Sequence, residues 1–147
     1  MDIVWFRNPL LRVPVAADIA FSCERYDDRQ DPYDLHKDAN GGFLYVRPNA
    51  RTIGFFKSWY EARRAYPRRN EQYVFSMVKQ ELSVRHGTAV LFVDTAYLGG
   101  NCQPKKDFRR LCTFHANCLT GLNNKLELLR GMLGEWKHFT NHTSTRI

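Results

Sequence analysis

An acidic residue stands directly before a short apolar run at the start of the chain. Asp2 is followed by Ile3-Val4-Trp5-Phe6, a segment typical of a buried strand. Two carboxylates separated by one intervening residue on a strand face the same side. Together they can bind a divalent cation, which in turn binds a diphosphate. Asp2 fits the second position of such an Asp-x-Asp pair, and its partner would precede Met1. We therefore expect the chain to begin inside this motif.

A second group of residues with metal and phosphate chemistry lies near the other end, at His115, Gly121 and Lys125. A neutral histidine at a strand end ligates metals. Glycine permits close approach of a ligand or a positive φ. A lysine at a helix start places a cation beside the N–H donors of the helix terminus, which suits phosphate. Spacing alone favours a simpler interpretation, with His115 as a hydrogen-bonded core residue and Lys125 on the surface.

Strands and helices must position these residues, and their mixture predicts the α/β class. Apolar runs predict strands at 2–6, 17–22, 43–47, 89–93 and 111–115, and helical spacing predicts helices at 51–65, 71 to about 84, and 125–136. Asn70 is expected to cap the second helix, whose buried face would comprise Val74, Phe75, Val78 and Leu82. Asn40-Gly41-Gly42 predicts a turn, and Gly99-Gly100-Asn101 predicts a loop.

Composition is typical of one globular domain. The chain has 147 residues, is 44% hydrophobic and carries a net charge of +7. No run of about 18 apolar residues predicts a membrane span. The basic residues concentrate in four pairs, namely Arg63-Arg64, Arg68-Arg69, Lys105-Lys106 and Arg109-Arg110. Without a nucleic-acid-binding motif, solvated surfaces explain these pairs better than a polyanion site, and we expect no nucleic-acid partner.

Four cysteines are present, and none forms Cys-x-x-Cys, so a zinc site is not predicted. Cys102 and Cys112 flank a polar loop and could be bridged in an oxidising compartment. Cys118 is expected to be a small packed residue.

Five short segments, taken in order, resemble the plant nucleotide-diphospho-sugar transferases, the group that includes glycosyltransferase family 77. They are Asp2 with Trp5-Phe6-Arg7-Asn8-Pro9, Ala17-Asp18-Ile19, Asn40-Gly41-Gly42-Phe43, Asn70-Glu71-Gln72 and His115-Ala116-Asn117-Cys118. The resemblance covers Asp2 to about Trp136. It implies the C-terminal part of a GT-A-like fold, a mixed sheet flanked by helices, over residues 1–140 with a tail at 141–147.

The resemblance also implies a metal and diphosphate site. Asp2 and His115 would ligate a divalent cation, usually Mn²⁺. Gly121 and Lys125 would bind the diphosphate of the donor.

The donor sugar would contact a different part of the chain. The resemblance implies that Asn40, Gly41 and Gly42 bind this sugar, and that Glu71 and Gln72 lie beside its anomeric carbon as the catalytic pair. The family has an aspartate where this chain has Glu71. Simpler roles remain open, because Asn40 can serve only the turn and Glu71 can only favour the helix N-terminus.

The implied function is metal-dependent transfer of a sugar from a nucleoside-diphosphate donor, expected to be a UDP-sugar, to a hydroxyl of a glycan or glycoprotein. The resemblance also implies retention of configuration. Front-face attack assisted by the leaving group is then expected, since no carboxylate is an obvious covalent nucleophile. The family implies the Golgi lumen, with membrane association only through an anchor that this sequence lacks. The nucleoside-binding part is expected to precede Met1, so donor binding should be impaired. The alternative is a non-catalytic interaction partner of full-length relatives.

Overall fold

A computed structural model describes residues 2–144, and it confirms the α/β class. The strands are β1 (Ile3–Trp5), β2 (Ile19–Cys23), β3 (Ala39–Val46), β4 (Val90–Val93), β5 (Leu98–Gly100) and β6 (Thr113–His115). The α-helices are α1 (Ala50–Ala62), α2 (Glu71–His86) and α3 (Leu122–Ser144), and 3-10 turns cover Pro9–Arg12 and Arg63–Ala65.

The strands form two mixed sheets of three strands each, where the resemblance implied one mixed sheet. In the first, β2 lies between antiparallel β3 and parallel β4. In the second, β6 lies between antiparallel β1 and parallel β5. The pairing of β1 with β6 sets Ile3 opposite His115, so the start of the chain lies beside a segment more than one hundred residues away.

The first sheet packs against α1 and α2 through aromatic side chains. All five residues of β2 are buried. The rings of Phe21 and Phe75 stack with centroids 4.1 Å apart, and Phe55 and Phe92 are buried beside them. Aromatic pairs of this kind stabilise a core by about 1 kcal/mol each beyond the burial of their apolar area. They fix α2 against the sheet and so position the residues at its N-terminus.

The predicted start and buried face of α2 are confirmed. Asn70 Oδ1 accepts a hydrogen bond of 2.8 Å from the backbone N–H of Tyr73, which satisfies one of the donors that a helix N-terminus leaves unpaired. The buried apolar residues of the helix are those expected from the spacing, Val74, Phe75, Val78 and Leu82. The helix ends at Gly87, whose φ of 59° is in the left-handed region that glycine tolerates.

The turn predicted at Asn40-Gly41-Gly42 is wrong, because these residues belong to β3. They form an irregularity at which the register against β2 shifts between Phe21 and Ser22. The Ser22 hydroxyl donates to Asn40 O at 2.8 Å and accepts from Phe43 N at 2.9 Å. The Ser22 side chain thus supplies hydrogen bonds in place of the backbone hydrogen bonds between β2 and β3 that are missing here. The strand can therefore continue through a bulge.

The loop predicted at Gly99-Gly100 is also wrong, because both glycines lie in β5. A Cβ on Gly99 would come within 2.6 Å of Leu111 Cδ1. Glycine therefore marks a close approach of packed groups here, which is one of its recognised roles inside strands.

The last helix is longer than the predicted 125–136. It extends from Leu122 to Ser144 because its apolar side chains cover the second sheet. Met132 is buried with Phe108 and Phe114, and Trp136 and Phe139 pack against this cluster. Residues 141–144 of the predicted tail are helical, and 145–147 lie outside the described residues. No helix within 2–144 is both long and apolar enough to cross a bilayer.

The predicted pairing of Cys102 with Cys112 is wrong, since the disulfide joins Cys102 to Cys118. The reason is topological. β5 and β6 are parallel, so the residues that follow them, Cys102 and Cys118, leave the same edge of the sheet. Cys112 precedes β6, at the opposite edge, and is a buried free thiol.

Replacing both Cys102 and Cys118 with serine should lower the free energy of unfolding by about 3 kcal/mol. The bridge closes a loop with a sequence separation of 16, and constraint of the unfolded chain scales with loop length. Urea denaturation with and without reductant measures the change. Reductant should destabilise the wild type to the level of the variant and leave the variant unaffected. A wild type insensitive to reductant would contradict the bridge.

Candidate functional site

Asp2 and His115 meet where β1 pairs with β6. Asp2 O accepts a hydrogen bond of 2.9 Å from Ala116 N, which continues the ladder beyond the strands. This places Asp2 Oδ1 3.2 Å from His115 Nε2. The side chains of Asp2 and His115 are 30% and 17% exposed, so both are partly accessible to a ligand. The sequence placed these residues at opposite ends of the chain, and the sheet makes them neighbours.

Lys125 joins this pair from the first turn of α3. Its Nζ lies 2.5 Å from Asp2 Oδ2. Gly121, with a φ of 87°, turns the chain into the helix, and its carbonyl accepts from Lys125 N at 3.2 Å. The positive φ explains the glycine, since other residues are strained in that conformation. Gly121 itself is exposed at the helix start, where the N–H groups of the first turn are available.

Asn40 completes the arrangement from the bulge in β3. Its side-chain oxygen accepts from Gly42 N at 2.7 Å and lies 2.6 Å from His115 Nδ1. A Cβ on Gly42 would come within 2.7 Å of the same imidazole nitrogen. The bulge therefore brings a buried amide to the histidine, and glycine at position 42 leaves room for the ring.

These contacts determine the tautomer of His115. The Asn40 atom facing the ring is an oxygen, because it already accepts from a backbone N–H. His115 Nδ1 must then donate, which leaves the lone pair of a neutral ring on Nε2. That lone pair faces the Asp2 carboxylate oxygen at 3.2 Å. Two electron-rich atoms directed at each other suit a shared cation.

The local electrostatics maintain the ligand forms of both side chains. Burial lowers the pKa of His115 below its ordinary 6.5, more than the neighbouring Asp2 carboxylate raises it. Burial works against ionisation of Asp2, but the hydrogen bond from Lys125 and the charges of His115 and Lys125 outweigh it and hold that pKa below 3.8. An ionised carboxylate and a neutral imidazole are the forms that bind metals.

Asp2 and His115 together supply an oxygen and a nitrogen ligand. A carboxylate oxygen and an imidazole nitrogen are both metal-ligating groups, so the donor set is compatible with a divalent cation. Within residues 2–144, the cluster of three possible ligands is elsewhere, at Glu24, Cys102 and Cys118, and its two sulfurs are joined in the disulfide.

Gln72 reaches the same region from the N-terminus of α2. Its Oε1 accepts from Gly41 N at 3.0 Å, so the second helix is tied to the bulge that carries Asn40. Glu71 behaves differently. Its backbone carbonyl accepts from Trp59 Nε1 at 3.2 Å, and the residue lines an aromatic cavity beside the cluster.

The structure therefore brings most of the candidate residues into one connected group, hereafter the donor cluster: Asp2, Asn40, Gly41, Gly42, Gln72, His115 and Lys125. Gly121 supports Lys125 through the backbone, and Glu71 lies next to the cluster in sequence.

Sequence reasoning missed the support for the segment after His115. Asn117 Oδ1 accepts from Cys102 N at 3.2 Å, and a Cβ on Gly100 would come within 2.6 Å of the same oxygen. Together with the disulfide, this contact ties the end of β5 to the turn that leads into Lys125. The available signal was Gly100 itself, since an interior strand glycine often marks a close approach.

Comparisons with known proteins identify the family of the chain. A family model described as nucleotide-diphospho-sugar transferase matches residues 1–129. The uncharacterized Arabidopsis thaliana protein At4g15970 is 38% identical over 141 residues, covering 95% of this chain and 38% of the relative. A second uncharacterized protein of that plant, At1g28695, is 29% identical over 147 residues, covering 99% and 43%. The chain thus spans about two fifths of the length of these relatives. No solved structure matches the chain.

Proposed function

Because the chain belongs to the nucleotide-diphospho-sugar transferase family, we propose that the donor cluster binds the metal and diphosphate of a nucleotide-sugar donor for transfer of the sugar to an acceptor hydroxyl. The convergence of Asp2, His115 and Lys125, residues from distant parts of the chain, supports the proposal. A carboxylate, a neutral imidazole and an ammonium group within hydrogen-bonding distance can together bind a cation and a polyanion.

Asp2 and His115 would ligate a divalent cation, with Mn²⁺ as the proposed ion. Asn40 would hold the imidazole in the ligating tautomer through its hydrogen bond to Nδ1. When bound, the cation would stabilise negative charge on the departing diphosphate.

Lys125 would exchange its contact with Asp2 for a contact with the diphosphate. It lies in the first turn of α3, where the helix dipole and the exposed N–H groups also favour an anion. The lysine would thereby stabilise charge that develops on the leaving group, which is among the largest contributions to catalysis.

The sugar of the donor would lie against the bulge of β3. Asn40 and the backbone of Gly41 and Gly42 would contact it, with Gln72 and Glu71 beside the anomeric carbon. We propose front-face attack with retention of configuration, in which the diphosphate leaves on the side from which the acceptor approaches. The hydrogen bond from Gly41 N to Gln72 supports a shared role for the bulge and α2.

The remaining features of the reaction are proposed from the family. The donor would be a UDP-sugar, and the acceptor a glycan or a glycoprotein. The reaction would take place in the Golgi lumen. The domain that carries it out would have a GT-A-type fold.

Titration of UDP into the chain in the presence of Mn²⁺ tests this function. We expect weak but saturable binding that requires Mn²⁺. Lys125→Met should weaken UDP binding about tenfold or more, because a charge-assisted hydrogen bond to the diphosphate is lost.

The matched control is Lys106→Met. Lys106 forms an ion pair of 2.9 Å with Glu135, a residue of α3 that is outside the donor cluster. Its replacement by methionine changes the net charge by the same amount as Lys125→Met. Equal effects of the two substitutions, or UDP binding that does not respond to Mn²⁺, would contradict the proposed function.

A further inference from the structure

An aromatic cavity opens between α1 and the N-terminus of α2. It has a volume of about 400 Å³. Its walls include Phe56, Trp59 and Tyr60 from α1, and its polar lining consists of Arg63, Arg69 and Glu71. Apolar walls with a few polar groups of defined position are the usual composition of a small-ligand site.

The walls are held in place by the core. The Trp59 ring packs 4.9 Å from Phe75 and 5.3 Å from Phe56, and its Nε1 donates to Glu71 O at 3.2 Å. Tyr60, in contrast, is 62% exposed. Rings fixed on one side and open on the other can stack against a flat ligand at little entropic cost. A pyranose fits such a platform, since one face of it carries C–H groups and its hydroxyls lie at the edge.

Two arginines provide oriented cations at this platform. The Arg63 guanidinium lies 3.5 Å from the centroid of the Tyr60 ring and donates to Tyr60 O at 2.8 Å. The Arg69 guanidinium lies 4.6 Å from the Tyr73 ring. Stacked guanidinium groups retain further N–H donors in the plane, which match the two oxygens of a carboxylate.

These arginines differ from their neighbours in pairing. Arg64 forms an ion pair of 2.7 Å with Glu61, whereas neither Arg63 nor Arg69 is in an ion pair within residues 2–144. Glu71 is the acidic residue in the lining, so cations outnumber anions there. The cavity is therefore complementary in charge to a ligand that carries a carboxylate.

We propose that this cavity binds a uronic acid residue of an acidic glycan. The aromatic rings would stack on the C–H face of the sugar, Arg63 and Arg69 would bind its carboxylate, and Glu71 would accept hydrogen bonds from its hydroxyls. That the glycan is the acceptor of sugar transfer rests on the proposed function. Gln72, adjacent to Glu71, contacts Gly41 and so connects the cavity to the donor cluster.

Calorimetric titration of trigalacturonic acid into the full chain tests the site. We expect saturable binding, with neutral trigalactose binding at least about tenfold more weakly because it lacks the charged hydrogen bonds. Arg63→Gln and Arg69→Gln should each weaken uronide binding about tenfold, and Tyr60→Ala about fivefold through loss of stacking.

A charge-matched double variant provides the control. The test variant combines Arg63→Gln with Arg69→Gln and removes two positive charges from the cavity. The control combines Arg25→Gln with Arg130→Gln and removes two positive charges from exposed positions elsewhere. The control should bind the uronide like the wild type. Equal losses in the two double variants would overturn the site, as would equal binding of the acidic and neutral sugars.

A nucleic-acid ligand is a distinct outcome, because aromatic and basic side chains also bind single strands. The glycan assignment is wrong if a short oligothymidylate binds as tightly as the uronide and the same variants abolish its binding.

His115→Ala distinguishes the two proposals. This variant should lose Mn²⁺-dependent UDP binding and retain uronide binding. Mn²⁺-dependent UDP binding without uronide binding would overturn this inference alone. Uronide binding without Mn²⁺-dependent UDP binding would overturn the proposed function alone.

Discussion

His115→Ala should abolish Mn²⁺-dependent binding of UDP, with a loss of affinity of about 100-fold or more. The substitution removes the imidazole nitrogen that faces Asp2 at 3.2 Å. Loss of groups that only orient a metal ligand already costs about 10- to 100-fold, so loss of the ligand itself should lie at the upper end or beyond. Calorimetry with UDP and Mn²⁺ measures the affinity.

The matched control for this experiment is His36→Ala. His36 also contacts a carboxylate, with Nδ1 2.8 Å from Asp34 Oδ1, but its side chain is 83% exposed and belongs to a loop outside the donor cluster. It should bind UDP and Mn²⁺ like the wild type. Unchanged metal dependence in His115→Ala, with the fold intact by circular dichroism, would refute the ligand assignment. Asn40→Ala should give a smaller loss, because it disturbs only the orientation of the ring.

Asp18→Asn should lower the free energy of unfolding by about 3 kcal/mol near neutral pH. The Asp18 side chain is 5% exposed. Its carboxylate accepts from Ala89 N at 2.9 Å, from Arg51 at 3.0 Å and from Asn49 at 3.2 Å. An amide in its place would direct a donor at groups that already donate, and a buried mismatch would remain. Urea denaturation measures the change.

The same carboxylate should make stability depend on pH. Burial opposes ionisation of Asp18, but its hydrogen bonds from Ala89, Arg51 and Asn49 outweigh burial and hold its pKa below the ordinary 3.8. A pKa that is lower in the folded state adds stability above the unfolded value and loses it as the pH falls through the folded value. The free energy of unfolding should therefore fall more steeply below about pH 4 in the wild type than in Asp18→Asn.

The control for Asp18 is Asp27→Asn. The Asp27 carboxylate pairs with Arg29 at 2.9 Å, two residues away and on the surface, where an ion pair contributes little to stability. This substitution should leave the urea midpoint unchanged. A stability loss in Asp27→Asn as large as that in Asp18→Asn would show that removal of a negative charge, rather than the buried network, causes the effect.

Much of the fold followed from local patterns. Helical spacing predicted the buried face of α2, and Asn70 predicted its start, because both depend on residues within a few positions of one another. The extra length of α3 was not predicted. Its second half packs against aromatic residues, Phe6 and Phe108, that come from distant segments of the chain.

The glycine motifs show the limit of local reasoning. Asn40-Gly41-Gly42 has the composition of a turn, yet the Ser22 hydroxyl from a neighbouring strand holds these residues in a bulge. The bulge then directs Asn40 at His115. The family resemblance identified the site residues. The contact between Asn40 and His115, however, depends on the Ser22 side chain, which lies outside the Asn40-Gly41-Gly42 segment.

By itself, the sequence determined the α/β class, the start of α2 and the kinds of side chain available for metal and phosphate chemistry, because periodicity and capping act over a few residues. Tertiary structure alone decided that Asp2 lies against His115, that Cys102 bonds to Cys118, and that Arg63 and Arg69 border an aromatic cavity. Each of these depends on which strands and helices become neighbours. That choice is set by the burial of the whole core, and it brings together residues that are far apart in the chain.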